Sequence, residues 1–425
     1  MVLTLVVTGC SGGPHAAPDS SPAEPQAPDS SSAGPQAPGT FRATGSMVQA
    51  RRSHFTATLL LDGRVLIAGG ENPGSLDTAE LYDPATGEFT ATGSMTAARH
   101  DNVAVRLADG RVLIEGMSRT IEHLAGGGID FADPIPTAEL YDPRTGTFTL
   151  ATATNLIPSS AVALLPDGRV LLPGGSATGS VLAPGPGMPC ANAGDWCQVV
   201  ESTGELANAL LLDPITGTVT STSDMTQGRS NPTATPLLDG RVLVTNGFLA
   251  NMAVPPYDPA TAELYDPVTG TFTATGSMVG DVREPYDGTA TLLSDGRVLF
   301  AGGTMIVASK GYLTTASAQI YDPKTGTFAL TGPMAAPRQG HAATLLKDGR
   351  VLVVGGYTSD PADGSLESAV TAELFDPTTG TFRPTGAIVD VPGSDGGIRG
   401  SNSATLLSDG RVFVAGTGVA EIFQP

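Results

Sequence analysis

One short hydrophobic pattern repeats along most of the chain. Its clearest copy runs from His54 to Met95. There HFTATLLL alternates small or polar residues with apolar ones, and RVLIAGG is an apolar run that ends in glycines. Alternation at period two and short apolar runs bounded by turn residues both predict strands. Asp62-Gly63 separates the two, and such a pair favours a tight hairpin turn because glycine accepts positive φ at no steric cost. TAELYD and EFTATG read as a third and a fourth strand. Their link, Asp83-Pro84-Ala85-Thr86-Gly87, has proline fixing φ at the turn start and glycine where the chain turns left-handed. Each copy is therefore expected to be a four-stranded antiparallel meander with two tight turns.

The phrase Asp-Gly-Arg-Val recurs at Asp62, Asp109, Asp167, Asp239, Asp295, Asp348 and Asp409. Asp-Pro-x-Thr-Gly recurs at Asp83, Asp142, Asp213, Asp266, Asp322 and Asp376. One such sheet is apolar on both faces and cannot fold alone, but copies packed face to face around an axis bury those faces. The fold class expected is all-β: a seven-bladed β-propeller of four-stranded antiparallel blades. The chain ends on a third strand, Ala420-Glu421-Ile422-Phe423, with no fourth after it. Gly39-Thr40-Phe41-Arg42-Ala43-Thr44-Gly45 has the fourth-strand pattern, so the last blade is expected to be closed by this N-terminal strand.

These repeats resemble the Kelch-repeat β-propeller family, whose fold the galactose oxidase-like proteins share. The resemblance rests on the glycine pairs Gly69-Gly70, Gly174-Gly175, Gly302-Gly303 and Gly355-Gly356, on the Tyr-Asp that ends the third strand, and on an arginine before the first. It covers roughly residues 39 to 425. The fourth-strand aromatic is Phe (Phe89, Phe148, Phe272, Phe328, Phe382) or Val219 where the family usually has Trp. The glycine pair is altered at Glu115-Gly116, Asn246-Gly247 and Gly416-Thr417. The resemblance implies a fold, and Kelch propellers include both enzymes and non-enzymatic binders.

Strand polarity divides the expected disc into two faces. Both tight turns lie on one. The second-to-third connections, with inserts at 117–136, 176–206, 248–260, 304–316 and 357–370, lie on the other with the links between blades. Variable loops on a rigid frame are where binding concentrates. Ten residues before the Asp of Asp-Gly stand Arg52, Arg99, Arg229, Arg338 and Arg399. In the fifth blade Arg283 lies two residues further back, and the third blade has Ile157. These six arginines are the candidate ligand-binding residues, a funnel for carboxylate or sulfate groups. The third strands repeat an acid at Glu80, Glu139, Glu263, Glu373 and Glu421, with Gln319 in the fifth blade. Arg–Glu pairing within the frame is the competing reading.

The remaining chemistry is sparse. His54, His100 and His341 stand where first strands begin, in different blades, and His123 and His15 lie elsewhere, so no metal site and no cofactor are expected. Asp360, Asp363 and Glu367 lack a known calcium-loop spacing. Trp196, Tyr257, Tyr286, Tyr312 and Tyr357 fall on inserts or links and suit either sugar stacking or loop anchoring. The copper-radical oxidase set of two His and two Tyr, one cross-linked to Cys, is not recognisable, and no catalytic residue is nominated.

Acids outnumber bases, 42 to 22, for a net charge of −20, which argues against a nucleic-acid partner and for a monomer kept soluble by charge. The start, MVLTLVVTGC, resembles a bacterial lipoprotein signal with Cys10 as the lipidated residue, although no Lys or Arg precedes its apolar run. A plain secretory signal or a misassigned start are the alternatives. Residues 1–10 are thus expected to be a signal, 11–38 a disordered Pro/Ser/Ala-rich tether, and 39–425 the propeller. No long apolar run follows, so the membrane would be met through the lipid anchor only. Cys190 and Cys197 are expected to form a disulfide in an oxidising compartment, two free thiols being the alternative. Three functions remain open: a membrane-tethered binder of a glycan or protein on the insert face, a galactose oxidase-like or other carbohydrate-active enzyme, and a purely structural scaffold.

Overall fold

The computed structural model describes residues 36–425, apart from 52, 73, 118–119, 124–128, 133–137, 153–160, 190–195, 230, 248–260, 281–286, 308–310, 361–363, 389–402 and 417–418. Cys10, the 1–10 segment and residues 11–35 of the 11–38 segment lie outside the described residues, as do Cys190, Arg52, Arg283 and Arg399. Every regular element described is a strand. Seven four-stranded antiparallel sheets form the blades. They begin with strands Ser53–Leu59, His100–Arg106, Ala163–Leu164, Thr233–Pro236, Thr289–Leu292, Ala342–Leu345 and Ser403–Leu406. In each, the first to fourth strands lie side by side in order.

The blades form a ring because each sheet is apolar on both faces. Seven buried clusters fill the seams, each drawn from two successive blades. In one, Leu60, Leu66 and Leu81 of blade 1 meet Val112, Ile114 and Tyr141 of blade 2. The seam that closes the ring sets Val65, Ile67 and Tyr82 of blade 1 against Phe413, Ala415 and Ile422 of blade 7. Burying one Leu, Ile, Val or Phe contributes about 1.5–3 kcal/mol, so a blade separated from its neighbours loses most of its stabilisation.

Polar contacts stitch the same seams. The third-strand tyrosine of one blade bonds a threonine after the fourth strand of the blade before it. The pairs are Thr44–Tyr82 at 2.9 Å, Thr92–Tyr141 at 2.9 Å, Thr222–Tyr265 at 3.1 Å and Thr275–Tyr321 at 2.9 Å. Beside them the backbone N–H of Gly93 donates to Gly146 O at 2.9 Å, and a side chain on Gly93 would collide with that carbonyl.

The N-terminal strand Thr40–Ala43 completes blade 7 as the pattern predicts. Its register is Thr40↔Gln424, Phe41↔Phe423, Arg42↔Ile422 and Ala43↔Glu421. The Phe41 and Phe423 rings lie 4.8 Å apart. Phe41 also joins the cluster with Leu352 and Val354 of blade 6, so the closing strand touches two blades.

Candidate functional site

Insert hairpins rise between second and third strands: Thr120–His123 with Ile129–Ala132, Ser176–Pro189 with Trp196–Glu205, Thr304–Val307 with Gly311–Thr314, and Tyr357–Ser359 with Leu366–Ser368. Strand polarity puts them all on one face. The inserts of blades 5 and 6 are clasped. Thr314 N–H donates to Ser359 Oγ at 2.8 Å, and Ser359 N–H donates back to Thr314 Oγ1 at 2.9 Å. Both residues are buried. The base of the blade 6 insert is tied down by reciprocal backbone bonds between Gln339 and Tyr357. Tyr357 therefore anchors its own hairpin through the main chain. Trp196 and Tyr312 stand on insert strands, while Tyr257 and Tyr286 lie outside the described residues.

Beneath the inserts is a set of buried ion pairs. Arg99 reaches Glu139 at 2.6 Å, Arg229 reaches Glu263 at 3.3 Å, and Arg338 reaches Glu373 at 3.0 Å. All six side chains are no more than 2% exposed. The Arg338 guanidinium also donates to Gly355 O, Thr371 O and Thr371 Oγ1. Glu373 in turn accepts the backbone N–H groups of Ala335 and Ala336 in the link between blades. Each pair therefore staples the interblade link to the roots of the insert. Burial lowers the pKa of the Arg338 guanidinium, and the attraction of Glu373 opposes this. With so little exposed surface, these arginines face their own frame and not a channel mouth.

In blade 1 the stapling residue is Arg51, not the Arg52 that counting selects. Arg51 pairs with Glu80 at 3.1 Å and is fully buried. Two residues separate Arg51 from His54, where one separates Arg338 from the equivalent Gly340 and Arg229 from Asn231. The link is one residue longer, and a fixed offset cannot register that. Blade 3 has lost both partners together: Leu210 faces Leu172 where Glu80 faces Ile67, and Ile157 stands at the arginine offset. Glu421 is fully buried in blade 7.

At the rim the chain enters four of the first strands through a tight bend. His54, Asn231, Asp287 and Gly340 occupy the same place, eight residues before the turn aspartate, with φ of 58°, 51°, 58° and 60°. Asn, Asp and His are the non-glycine residues that best tolerate this conformation. Backbone strain of this kind clusters at functional sites. His54, Asn231 and Asp287 are exposed, and His54 Nδ1 lies 3.6 Å from Glu71. This ring of polar groups, framed by the inserts, is the candidate binding surface.

The described donors do not compose a copper set. His341 is buried, with Nε2 on Thr289 Oγ1 at 3.0 Å. Burial, and then the nearby Arg338 charge, push its pKa down to about 3. Tyr82, Tyr141, Tyr265 and Tyr321 are committed to the blade seams. His54 and His341 belong to blades 1 and 6. Asp360 and Glu367 lie on the blade 6 insert, and Asp363 is outside the described residues. Among the described residues no three of His, Cys, Asp or Glu converge.

Seven four-stranded blades around an axis define a β-propeller, and the comparisons place its repeat. The Kelch motif matches residues 52–96, the span of the first blade with the start of the link that follows it. The structure is similar to that of a fungal alcohol oxidase of the AA5 family in complex with copper, with 18% identity and a TM-score of 0.62 over 91% of this chain and 76% of that one. It is also similar to YjhT, with 13% identity and a TM-score of 0.55 over 80% of this chain and 99% of that one. No curated protein matches the sequence. The chain is a seven-bladed β-propeller whose first blade carries a Kelch motif. At these identities the likeness to solved structures is one of fold, and the fold supports a binding or scaffold role in general.

Proposed function

We propose that this protein is a non-enzymatic binding propeller that recognises a glycan or protein partner on its insert face. It would be exported and held at a membrane by lipid on Cys10, with 11–38 as the tether. The observation that carries this reading is the asymmetry of the disc. One face consists of repeated tight turns. The other carries inserts of unequal length on a stapled frame, with a strained polar rim between them. A fixed frame holds interaction surfaces in place without an ordering cost at binding. The sparse cationic surface and the net charge of −20 favour a neutral or basic partner.

Glycan-array binding and capture from a membrane extract test the reading in parallel. Binding that is lost when the 176–205 hairpin is replaced by a short Gly-Ser turn supports it. Retention of all binding after that replacement, together with replacement of the 357–368 hairpin, contradicts it. Mass spectrometry of the N-terminal peptide checks the lipid on Cys10. The fold neighbour's description motivates one further control: tightly bound stoichiometric copper accompanied by alcohol oxidation would replace this reading with an enzymatic one.

A further inference from the structure

The fifth blade breaks the staple in a way that builds a different site. In blades 1 and 6 the guanidinium lies among three groups: the carbonyl of the first paired glycine, the threonine two residues before the glutamate, and the glutamate itself. The counterparts in blade 5 are Gly302, Ser317 and Gln319, in the same register. Gln319 keeps half of the glutamate's role, since its Oε1 accepts Val279 N–H at 2.9 Å just as Glu80 accepts Val48 N–H. The other half is a donor, Nε2, and it has no partner among the described residues although Gln319 is only 1% exposed.

Gly302, Ser317 and Gln319 line a cavity of about 10 Å³. Asn246 of blade 4 lines it too. Asn246 is 8% exposed, and its amide nitrogen donates to Thr233 Oγ1 at 3.2 Å. Its Oδ1 has no partner among the described residues. One small cavity is therefore flanked by a buried donor from blade 5 and a buried acceptor from blade 4. Leaving two such groups unpaired costs about 1–3 kcal/mol each. A cavity of this volume admits one water, which needs at least two polar partners. A guanidinium suits the place poorly, because a neutral amide cannot compensate a buried charge.

We infer that this cavity is a buried hydration site for a single water, which accepts from Gln319 Nε2 and donates to Asn246 Oδ1. The water joins blades 4 and 5 where an arginine staple would otherwise stand. The exchange accounts for two departures from the repeat at once, Gln319 for glutamate and Asn246 for the first paired glycine.

A crystal structure of the full chain at a resolution that orders internal waters tests this directly. The expected result is a single peak within hydrogen-bond distance of both amides. The Arg283 guanidinium in the cavity, or a direct Gln319–Asn246 bond, overturns the inference. A double-mutant cycle in solution gives a second readout. Asn246→Gly restores the residue found in blade 1 and keeps the positive φ, and Gln319→Met removes the donor while keeping bulk. If a shared water couples them, the double variant loses less in Tm than the sum of the two single losses. Strictly additive losses overturn it.

Discussion

Substituting Arg338→Met tests whether the buried ion pairs carry the frame. The change removes the cation from Glu373, which is 2% exposed, and takes donors from Gly355 O and Thr371 O. Breaking one side of a buried pair costs about 3–5 kcal/mol, because the remaining charge stays buried. Unfolding entropy near 2.1 cal/mol/K per residue gives roughly 0.9 kcal/mol/K for a chain of 425 residues. The expected fall in Tm is therefore about 3–6 °C. Adding Glu373→Leu removes the stranded charge and copies the Ile157 and Leu210 combination of blade 3. The double variant should recover part of the loss, the remainder being the two link N–H groups that Glu373 accepts. Thermal and urea unfolding of the four proteins in the cycle measure this. If Arg338→Met melts within about 1 °C of the parent, or the double variant loses the full sum of the singles, the stapling argument fails.

Two further outcomes follow from the same geometry. Gly93→Ala pushes a methyl group into Gly146 O and breaks the seam between blades 1 and 2, so it should destabilise by about 1–3 kcal/mol in denaturant unfolding, where an exposed loop glycine such as Gly74 should tolerate alanine. His341 is neutral in the folded state with its pKa down to about 3, whereas the unfolded chain takes up a proton near 6.5. Between those values the unfolded state binds more protons, so stability falls as pH falls. At about pH 4.5 the loss reaches roughly 2–3 kcal/mol. His341→Gln should flatten that limb of the Tm–pH curve, and an unchanged slope would refute the assignment.

The strands, both turn types and the closing strand were legible because each depends on residues next to one another. Alternation in HFTATLLL and the Asp-Gly pair need no knowledge of the rest of the chain. The match between Gly39–Gly45 and the fourth strands identified the missing edge, since an unpaired third strand demands a partner. The arginine ring was legible as a repeat and ambiguous as chemistry. An offset says that side chains are equivalent, not what they meet, and only the side-chain distances to Glu80, Glu139, Glu263 and Glu373 show the pairing. The offset failed in blade 1, where one additional residue moves the role from Arg52 to Arg51. The Tyr–Thr contacts were out of reach because they join different blades across 38 to 49 residues of chain. Gln319 stood out as a departure, but its cavity depends on Asn246 from another blade.

Ring closure underlies both the division into faces and the location of the binding surface, and removal of the closing strand tests it most directly. A chain lacking residues 1–46 loses Phe41 from two blades and exposes the edge of Val419–Gln424. Differential scanning calorimetry should show a Tm many degrees below that of the full chain, recovered in part by a synthetic peptide of residues 36–47 added in trans. A truncated chain that melts with the parent, or a peptide that neither binds nor restores it, would contradict the closed ring.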